Sequence, residues 1–332
     1  MIAQYLSFLN SEAFRAPLGI SAGDRLNFSV LGQGEYNSNY TFIHPISGEK
    51  LVLRINTGSQ MHLSDQIGYE FAALQDLHGS GRTPKPVCCF PEQGMLVMEY
   101  LPGRALDYHR DMAVAAEILA DIHSLPVPQD TRLLRPEAPA LAIYQECLEM
   151  VRHYYDWENA DTEVCDLLRT LVSEIGRLPL GEVSDAPRCM VNTELNSGNF
   201  LINPEGRSYL VDWEKPLISE PAQDLGHFLA PTTTFWKTDV ILTPQQVKQF
   251  AADYIAAVGS RMDCSTLPKR LPLYFTVTCL RGITWCAMAY REYCQPGRQL
   301  TNADTFAKLK AYLEPAFLKN ILDNYVRKDF LA

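Results

Sequence analysis

The chain has 332 residues, 47% of them hydrophobic and 20% charged, and a net charge of −10 at neutral pH. That much apolar sequence supports one large core or two lobes. Lys/Arg-rich blocks are missing, and so is any apolar run of bilayer-spanning length, so neither nucleic acid nor membrane is expected as a partner. The opening segment MIAQYLSFLNSEAF has no basic n-region and contains Glu12, unlike a secretory signal. Nine scattered cysteines form no paired CxxC set, which points to reduced, buried thiols in a cytoplasm. The seven histidines lack HExxH-type spacing, so an imidazole-bound metal is not expected.

Strands come first along the chain. Asn27 to Leu31 reads as one, followed by the turn-forming run Gly32-Gln33-Gly34-Glu35-Tyr36-Asn37-Ser38-Asn39. Tyr40 to His44 and Lys50 to Ile55 read as two more, joined by Pro45-Ile46-Ser47-Gly48-Glu49. Helical spacing over 65–78 puts Ile67, Phe71, Leu74 and Leu77 on one face. Pro84 and Pro86 punctuate, and Met95 to Tyr100 is a short apolar strand ended by Pro102-Gly103.

Helices dominate after that. Met112 to Leu125 is amphipathic and stops at Pro126, and 141–178 holds two helical segments. Thr243-Pro244 has the form of an N-cap with Pro at the first helical position. Further helices are expected over 271–293 and 302–326. The expected organisation is a β-rich N-terminal lobe over 1–100, a hinge near 98–103, and a helical lobe over 101–332, with a ligand in the cleft between them.

The chemistry concentrates at 191–214, VNTELNSGNFLINPEGRSYLVDWE. An apolar run from Phe200 to Ile202, a turn at Asn203-Pro204-Glu205-Gly206, and a second run from Tyr209 to Val211 predict a hairpin. Asn199 and Asp212 then lie side by side at its open end, as two oxygen ligands of a hard cation must. Glu214 falls on the side of Asp212 if the backbone stays extended, as a further metal ligand or as a solvated loop acid. Glu194 is the candidate general base, provided its carboxylate comes within about 2.6–3.2 Å of a substrate hydroxyl. Otherwise it is a loop carboxylate in a protein that binds nucleotide without turning it over.

Upstream, Gly32 and Gly34 either let backbone N–H groups approach phosphate or simply make a turn, and Ser38 could add a donor. Arg54 ends the run Leu51-Val52-Leu53-Arg54, either as a cation for phosphate paired with Glu70 or as a surface ion pair. Asp224 reads as a helix-capping carboxylate that braces the 192–194 loop, and His123 as a packed core histidine. Arg281 and Trp285 either face substrate or pack in the core. Glu158, Asp161, Glu220 and Asp239 could suit a cationic acceptor or be ordinary surface acids.

Taken in order, these segments resemble the aminoglycoside phosphotransferase and choline kinase family, whose fold is similar to that of protein kinases. The resemblance runs from about Leu31 to Trp285. It rests on Leu31-Gly32-Gln33-Gly34, Leu51-Val52-Leu53-Arg54, Glu70, Met98-Glu99-Tyr100-Leu101-Pro102-Gly103, Leu119 to Pro126, Asn199, Asp212-Trp213-Glu214 and Asp224-Leu225. It implies an α+β, protein-kinase-like fold with a small antiparallel-sheet N-lobe and a larger, mostly helical C-lobe. It also implies ATP with its adenine against Glu99, Tyr100 and Leu101, Mg2+ on Asn199 and Asp212, and transfer of the γ-phosphoryl group to a small-molecule hydroxyl. Three residues depart from the family pattern: Glu194 stands for Asp, Asn192 for His and Arg54 for Lys. The expected activity is therefore a small-molecule kinase, with a catalytically impaired nucleotide-binding protein as the alternative.

Overall fold

The computed structural model describes residues 2–34, 37–59, 61–295, 303–328 and 330. Glu35 and Tyr36 of the glycine-rich turn, and residue 302 at the start of the last expected helix, lie outside the described residues. In chain order, α1 (Leu6–Leu9) and α2 (Glu12–Arg15) precede β1 (Ser29–Gln33), β2 (Asn37–Ile43) and β3 (Lys50–Asn56). Then come α3 (Gln66–Leu77), β4 (Pro86–Phe90), β5 (Met95–Glu99) and β6 (Arg104–Ala105). Next are α4 (Met112–His123), α5 (Pro139–Tyr155) and α6 (Thr162–Ile175), and after them β7 (Cys189–Val191), β8 (Phe200–Ile202), β9 (Tyr209–Leu210) and β10 (Leu217–Ser219). The chain continues with α7 (Pro221–Leu229), α8 (Pro231–Lys237), α9 (Pro244–Val258), α10 (Leu267–Tyr293), α11 (Ala303–Tyr312) and α12 (Pro315–Ile321).

Contacts group the residues into two compact units. The first holds Met1–Ala105, Leu125–Leu134 and Asn199–Pro216, and the second holds Leu106–Ser124, Arg135–Gly198 and Leu217–Ala332. The unit boundary thus falls at Gly198/Asn199, inside the 191–214 stretch.

The first unit is built on an antiparallel sheet of order β1-β2-β3-β5-β4. Alternation along the strands points Tyr40, Phe42, Leu51, Leu53 and Ile55 into a core closed by Leu9, Phe14 and Leu18 of the N-terminal segment. Each such large apolar side chain contributes about 1.5–3 kcal/mol on burial, which is why short helices at the chain start are worth forming. The edge strand β4 was not expected from sequence, because it begins at Pro86. Proline is tolerated there because an edge strand leaves one row of N–H groups unpaired.

The same unit contains the expected hairpin: β8 pairs with β9, and β6 adds on the other side of β8. A Cβ on Gly103 would lie 2.9 Å from the backbone carbon of Leu201, so the chain after β5 passes against β8 only as glycine.

The second unit is helical apart from the two-stranded pairing of β7 with β10. In α6, Val164, Cys165, Leu168, Leu171 and Ile175 make one buried stripe, and the Asp161 side chain caps the helix by accepting from Val164 N–H at 3.0 Å. Thr243 and Gln246 form the capping box that opens α9. Helix α10 starts at Leu267, four residues earlier than its periodicity suggested, and runs through Pro272. The lost hydrogen bond is outweighed by buried neighbours such as Leu271, Tyr274 and Phe275. A Cβ on Gly226 of α7 would come within 2.7 Å of Phe275 N, so α7 and α10 touch through glycine. Among the described residues, no helix is long and apolar enough to cross a membrane.

Candidate active site

In the first unit, the candidate residues gather around Arg54. Antiparallel register places Asn39 of β2 opposite Arg54 of β3. Nε of Arg54 donates to Asn39 Oδ1 at 3.1 Å, and Nη1 donates to Glu70 Oε1 at 2.7 Å. Nη2 lies 3.0 Å from Asp212 Oδ1. Three nitrogens of one planar fork thus reach three separate oxygens, which a lysine ammonium on a flexible stem cannot reproduce. The pairing is buried, so the surface-ion-pair reading of Arg54 does not hold. Burial works against the guanidinium charge, but Glu70, then Asp212 and Glu214, outweigh it and hold the group above its ordinary value. Glu70 comes from α3, whose N-cap Asp65 accepts from Gly68 N–H at 2.8 Å. Burial raises the Glu70 pKa despite Arg54, and Glu70 Oε2 has no hydrogen-bond partner among the described residues.

The hairpin brings its two ends together. Val211 N–H donates to Asn199 O at 2.9 Å, which sets Asn199 beside Val211 and Asp212. The buried Trp213 indole donates to Leu210 O at 3.1 Å and anchors the turn after β9. Asp212 itself has φ of +67°, a left-handed conformation that aspartate tolerates better than most residues. The backbone is therefore not extended through Asp212, and the alternation expected to carry Glu214 to the same side is absent. Glu214 is placed instead by tethers. Its carboxylate accepts from Asn37 Nδ2, and its carbonyl accepts from Gln66 Nε2 at 2.6 Å. It still faces Arg54 closely enough to raise that group.

This donor set suits Mg2+, which needs only one or two carboxylates because phosphate oxygens and water complete its shell. Asn199 offers an amide oxygen, Asp212 a carboxylate that is 35% exposed, and Glu214 a second carboxylate. No cluster of three or more His, Cys, Asp or Glu able to hold a metal occurs among the described residues. A tighter all-protein cage is thus not what these residues build.

Gly32 and Ser38 lie on the β1–β2 ladder, where Gly32 pairs with Asn39 and Gln33 with Ser38. Gly34 N–H donates to Asn37 O at 2.8 Å and so is committed to the turn. At the end of β5, Glu99 N–H donates to Lys85 O and Tyr100 N–H to Lys50 O. Leu101 is buried.

In the second unit, β7 leads into Asn192, Thr193 and Glu194. Thr193 is β-branched yet has φ of +70°, which costs about 1–2 kcal/mol. Asp224 holds it there: Oδ2 accepts from Asn192 N–H at 2.8 Å and Oδ1 from Thr193 N–H at 2.9 Å. His123 Nε2 meets Asp224 Oδ2 at 3.2 Å, and its Nδ1 meets the Tyr254 hydroxyl at 3.0 Å. The buried histidine is thus packed and hydrogen-bonded. Asp224 sits inside α7 rather than capping it. The N-cap is Glu220, which is buried against Arg270 Nε at 2.7 Å and the Tyr274 hydroxyl at 3.0 Å.

The Glu194 carboxylate takes a 2.7 Å hydrogen bond from Arg281 Nη2, and Arg281 Nε donates to Glu146 Oε2 at 3.1 Å. The charge of Arg281 is opposed by burial but held above its ordinary value by Glu194 and Glu146. Its neighbour on α10, Trp285, packs edge-on against Trp236, so the two residues considered together in sequence part company. Nothing in the sequence singled out Glu146. Of the acids considered for a cationic acceptor, Asp161 caps α6, Glu220 pairs with Arg270, and Asp239 pairs with Lys308. Glu158 is exposed.

The model of the phosphotransferase enzyme family matches residues 27–264. No curated protein matches the chain. Among solved structures, an ethanolamine kinase of Plasmodium vivax is similar at 15% identity and a TM-score of 0.62, over 89% of this chain and 84% of that one. The choline kinase LicA of Streptococcus pneumoniae is similar at 16% identity and a TM-score of 0.59, over 94% and 96%. A spectinomycin phosphotransferase in complex with ADP and spectinomycin is similar at 16% identity and a TM-score of 0.58, over 89% and 91%. At these identities the likenesses carry the fold, which is α+β and protein-kinase-like, as expected.

Proposed function

Since the chain belongs to the phosphotransferase enzyme family, as the match over 27–264 establishes, we propose that it transfers the γ-phosphoryl group of Mg-ATP to a hydroxyl of a small molecule. The observation that carries this reading is the Arg54 hub. One buried cation ties the helix acid Glu70 to Asp212 at the end of the β8–β9 hairpin. Phosphoryl transfer is catalysed mostly by positioning and charge stabilisation, and a cation tied to that acid supplies both.

In this reading Arg54 faces the nucleotide phosphates, and the β1–β2 pair with Gly32 and Ser38, together with Gly34 after β1, covers them. Leu101 N–H is the donor offered to adenine, with Glu99 and Tyr100 flanking it. Asn199 and Asp212 hold Mg2+, and Glu214 helps to hold it or a second ion. The ion supplies neutralisation of the phosphate charge. Glu194, five residues before Asn199, accepts the proton of the attacking hydroxyl. Proteins of the same fold are described as ethanolamine, choline and spectinomycin kinases, so acceptors that carry both an amine and a hydroxyl are the first to try.

A second reading, nucleotide binding without transfer, is favoured by one observation: the Glu194 carboxylate is already engaged by Arg281. Incubation with Mg-ATP and a panel of amino alcohols, aminoglycosides and sugars separates the two. The kinase reading predicts ADP and a phosphorylated acceptor in equal amounts. A rise in melting temperature with Mg-ATP, but no product from the whole panel, would favour the second reading.

A further inference from the structure

We propose that Arg281 is the positioning residue for Glu194, and that Glu146 sets how strongly it acts by sharing the same guanidinium. The catalytic meaning of this rests on Glu194 being the base. The physical arrangement does not.

Glutamate places its carboxylate on a stem one methylene longer than aspartate, with one more torsion to fix. Ordering such a side chain costs conformational entropy, and a base about 1 Å out of place loses on the order of 100-fold in rate. A longer acid at the end of a strained loop therefore needs an external restraint. Arg281 provides it from the middle of the 27-residue helix α10. Its fork is not spent on one carboxylate as a bidentate pair. It is split, with Nη2 on Glu194 at 2.7 Å and Nε on Glu146 of α5 at 3.1 Å.

That division has two consequences. The planar guanidinium fixes the direction from which Glu194 is held, since its other nitrogen is pinned to a helix. It also leaves two acids sharing one positive charge, so each weakens the hold on the other. The exposures differ along the chain of contacts: the Arg281 side chain is 14% exposed, Glu194 27% and Glu146 41%. The cation is sheltered while both carboxylates keep an accessible edge, as a held but reactive acid requires.

Helices α5 and α7 pack against α10 and carry further titratable groups, among them Cys147, Asp224 and His227. On α5, the Cys147 thiol is pushed up to about 12 by burial and remains neutral. From α7, Asp224 is committed to the backbone of Asn192 and Thr193. On α10, Arg281 is the charged group concerned.

Opposite signs make the proposal testable. Removing Arg281 takes a cation from beside Glu194 and makes it harder to ionise. Removing the Glu146 charge leaves the whole cation to Glu194 and makes it easier to ionise. The experiment is a pH titration of the Glu194 carboxyl carbon by NMR, on 13C-glutamate-labelled protein without ligand, with the resonance assigned by Glu194→Gln. Arg281→Gln should move the titration to higher pH and Glu146→Gln to lower pH. Arg281→Lys should fall between wild type and Arg281→Gln.

With an acceptor found by the panel and Mg-ATP, the acid limb of the kcat profile should move in the same two directions. Arg281→Gln should lower kcat roughly 10- to 100-fold while KM for ATP holds. Shifts of the same sign in both variants, or no shift, would overturn the proposal. Glu146 is 41% exposed, so Glu146→Gln remains informative if Arg281→Gln fails to fold. Opposite NMR shifts with undiminished turnover by Glu194→Gln would instead overturn the base reading, and with it the catalytic role of Arg281, while the physical restraint stood.

Discussion

Two arginines organise the two units, and they do so differently. Arg54 joins regular elements: its strand, the neighbouring strand through Asn39, and α3 through Glu70. The Glu70 side chain is only 2% exposed, and one of its oxygens lacks a hydrogen-bond partner among the described residues. Arg281 joins a loop acid to a helix acid, and both partners reach solvent. The contrast separates two uses of the same group. A guanidinium facing a buried acid is required for the fold to tolerate that acid, since an unpaired buried charge is costly. A guanidinium facing half-buried acids that reach solvent has less buried charge to neutralise and contributes less to stability, and what it supplies is direction and charge state.

Substitutions put the contrast to the test. The largest expected effect is on turnover: Asp212→Asn should abolish phosphoryl transfer in the product assay, because the hairpin carboxylate is lost while its shape is kept. Arg54→Met should cost about 3–5 kcal/mol in urea unfolding, by stranding Glu70. Arg281→Gln should cost only about 1 kcal/mol in the same experiment, and equal losses would erase the distinction between the two arginines. Asp224→Ala also belongs among the costly changes, at about 3–5 kcal/mol, because it orphans two buried N–H groups and His123. Arg54→Lys should lose about 1–2 kcal/mol, since one ammonium replaces three directed nitrogens. The smallest effect is expected for Thr193→Gly. Relief of the left-handed strain is offset by glycine's greater freedom in the unfolded chain, leaving stability within about 1 kcal/mol of wild type.

These two arginines also mark what could be read from the sequence. Arg54 and Glu70 were legible because each sits in a segment with a clear period, a strand and an amphipathic helix, separated by only 16 residues. The hairpin was legible for the same reason, with turn residues between two apolar runs. Asn39 as third partner of Arg54 was not, because strand register is set by pairing rather than by composition. The bridge from Glu194 to Arg281 spans 87 residues and the one from Glu146 to Arg281 spans 135. Neither has a periodic signature, and helix packing alone brings those side chains together. The positive φ of Thr193 was invisible for another reason: a β-branched residue is the last to expect there, and it is held by Asp224 of α7, 31 residues away. Likewise, β4 was hidden by its leading proline, and the segment before residue 20 gave too few turns to declare a helical period.

If the longer arm of Glu194 is a working base held in place, Glu194→Gln should lose phosphoryl transfer on the order of 100-fold or more against wild type at saturating Mg-ATP, with KM for ATP unchanged. A rate equal to wild type would show that Glu194 is not the base.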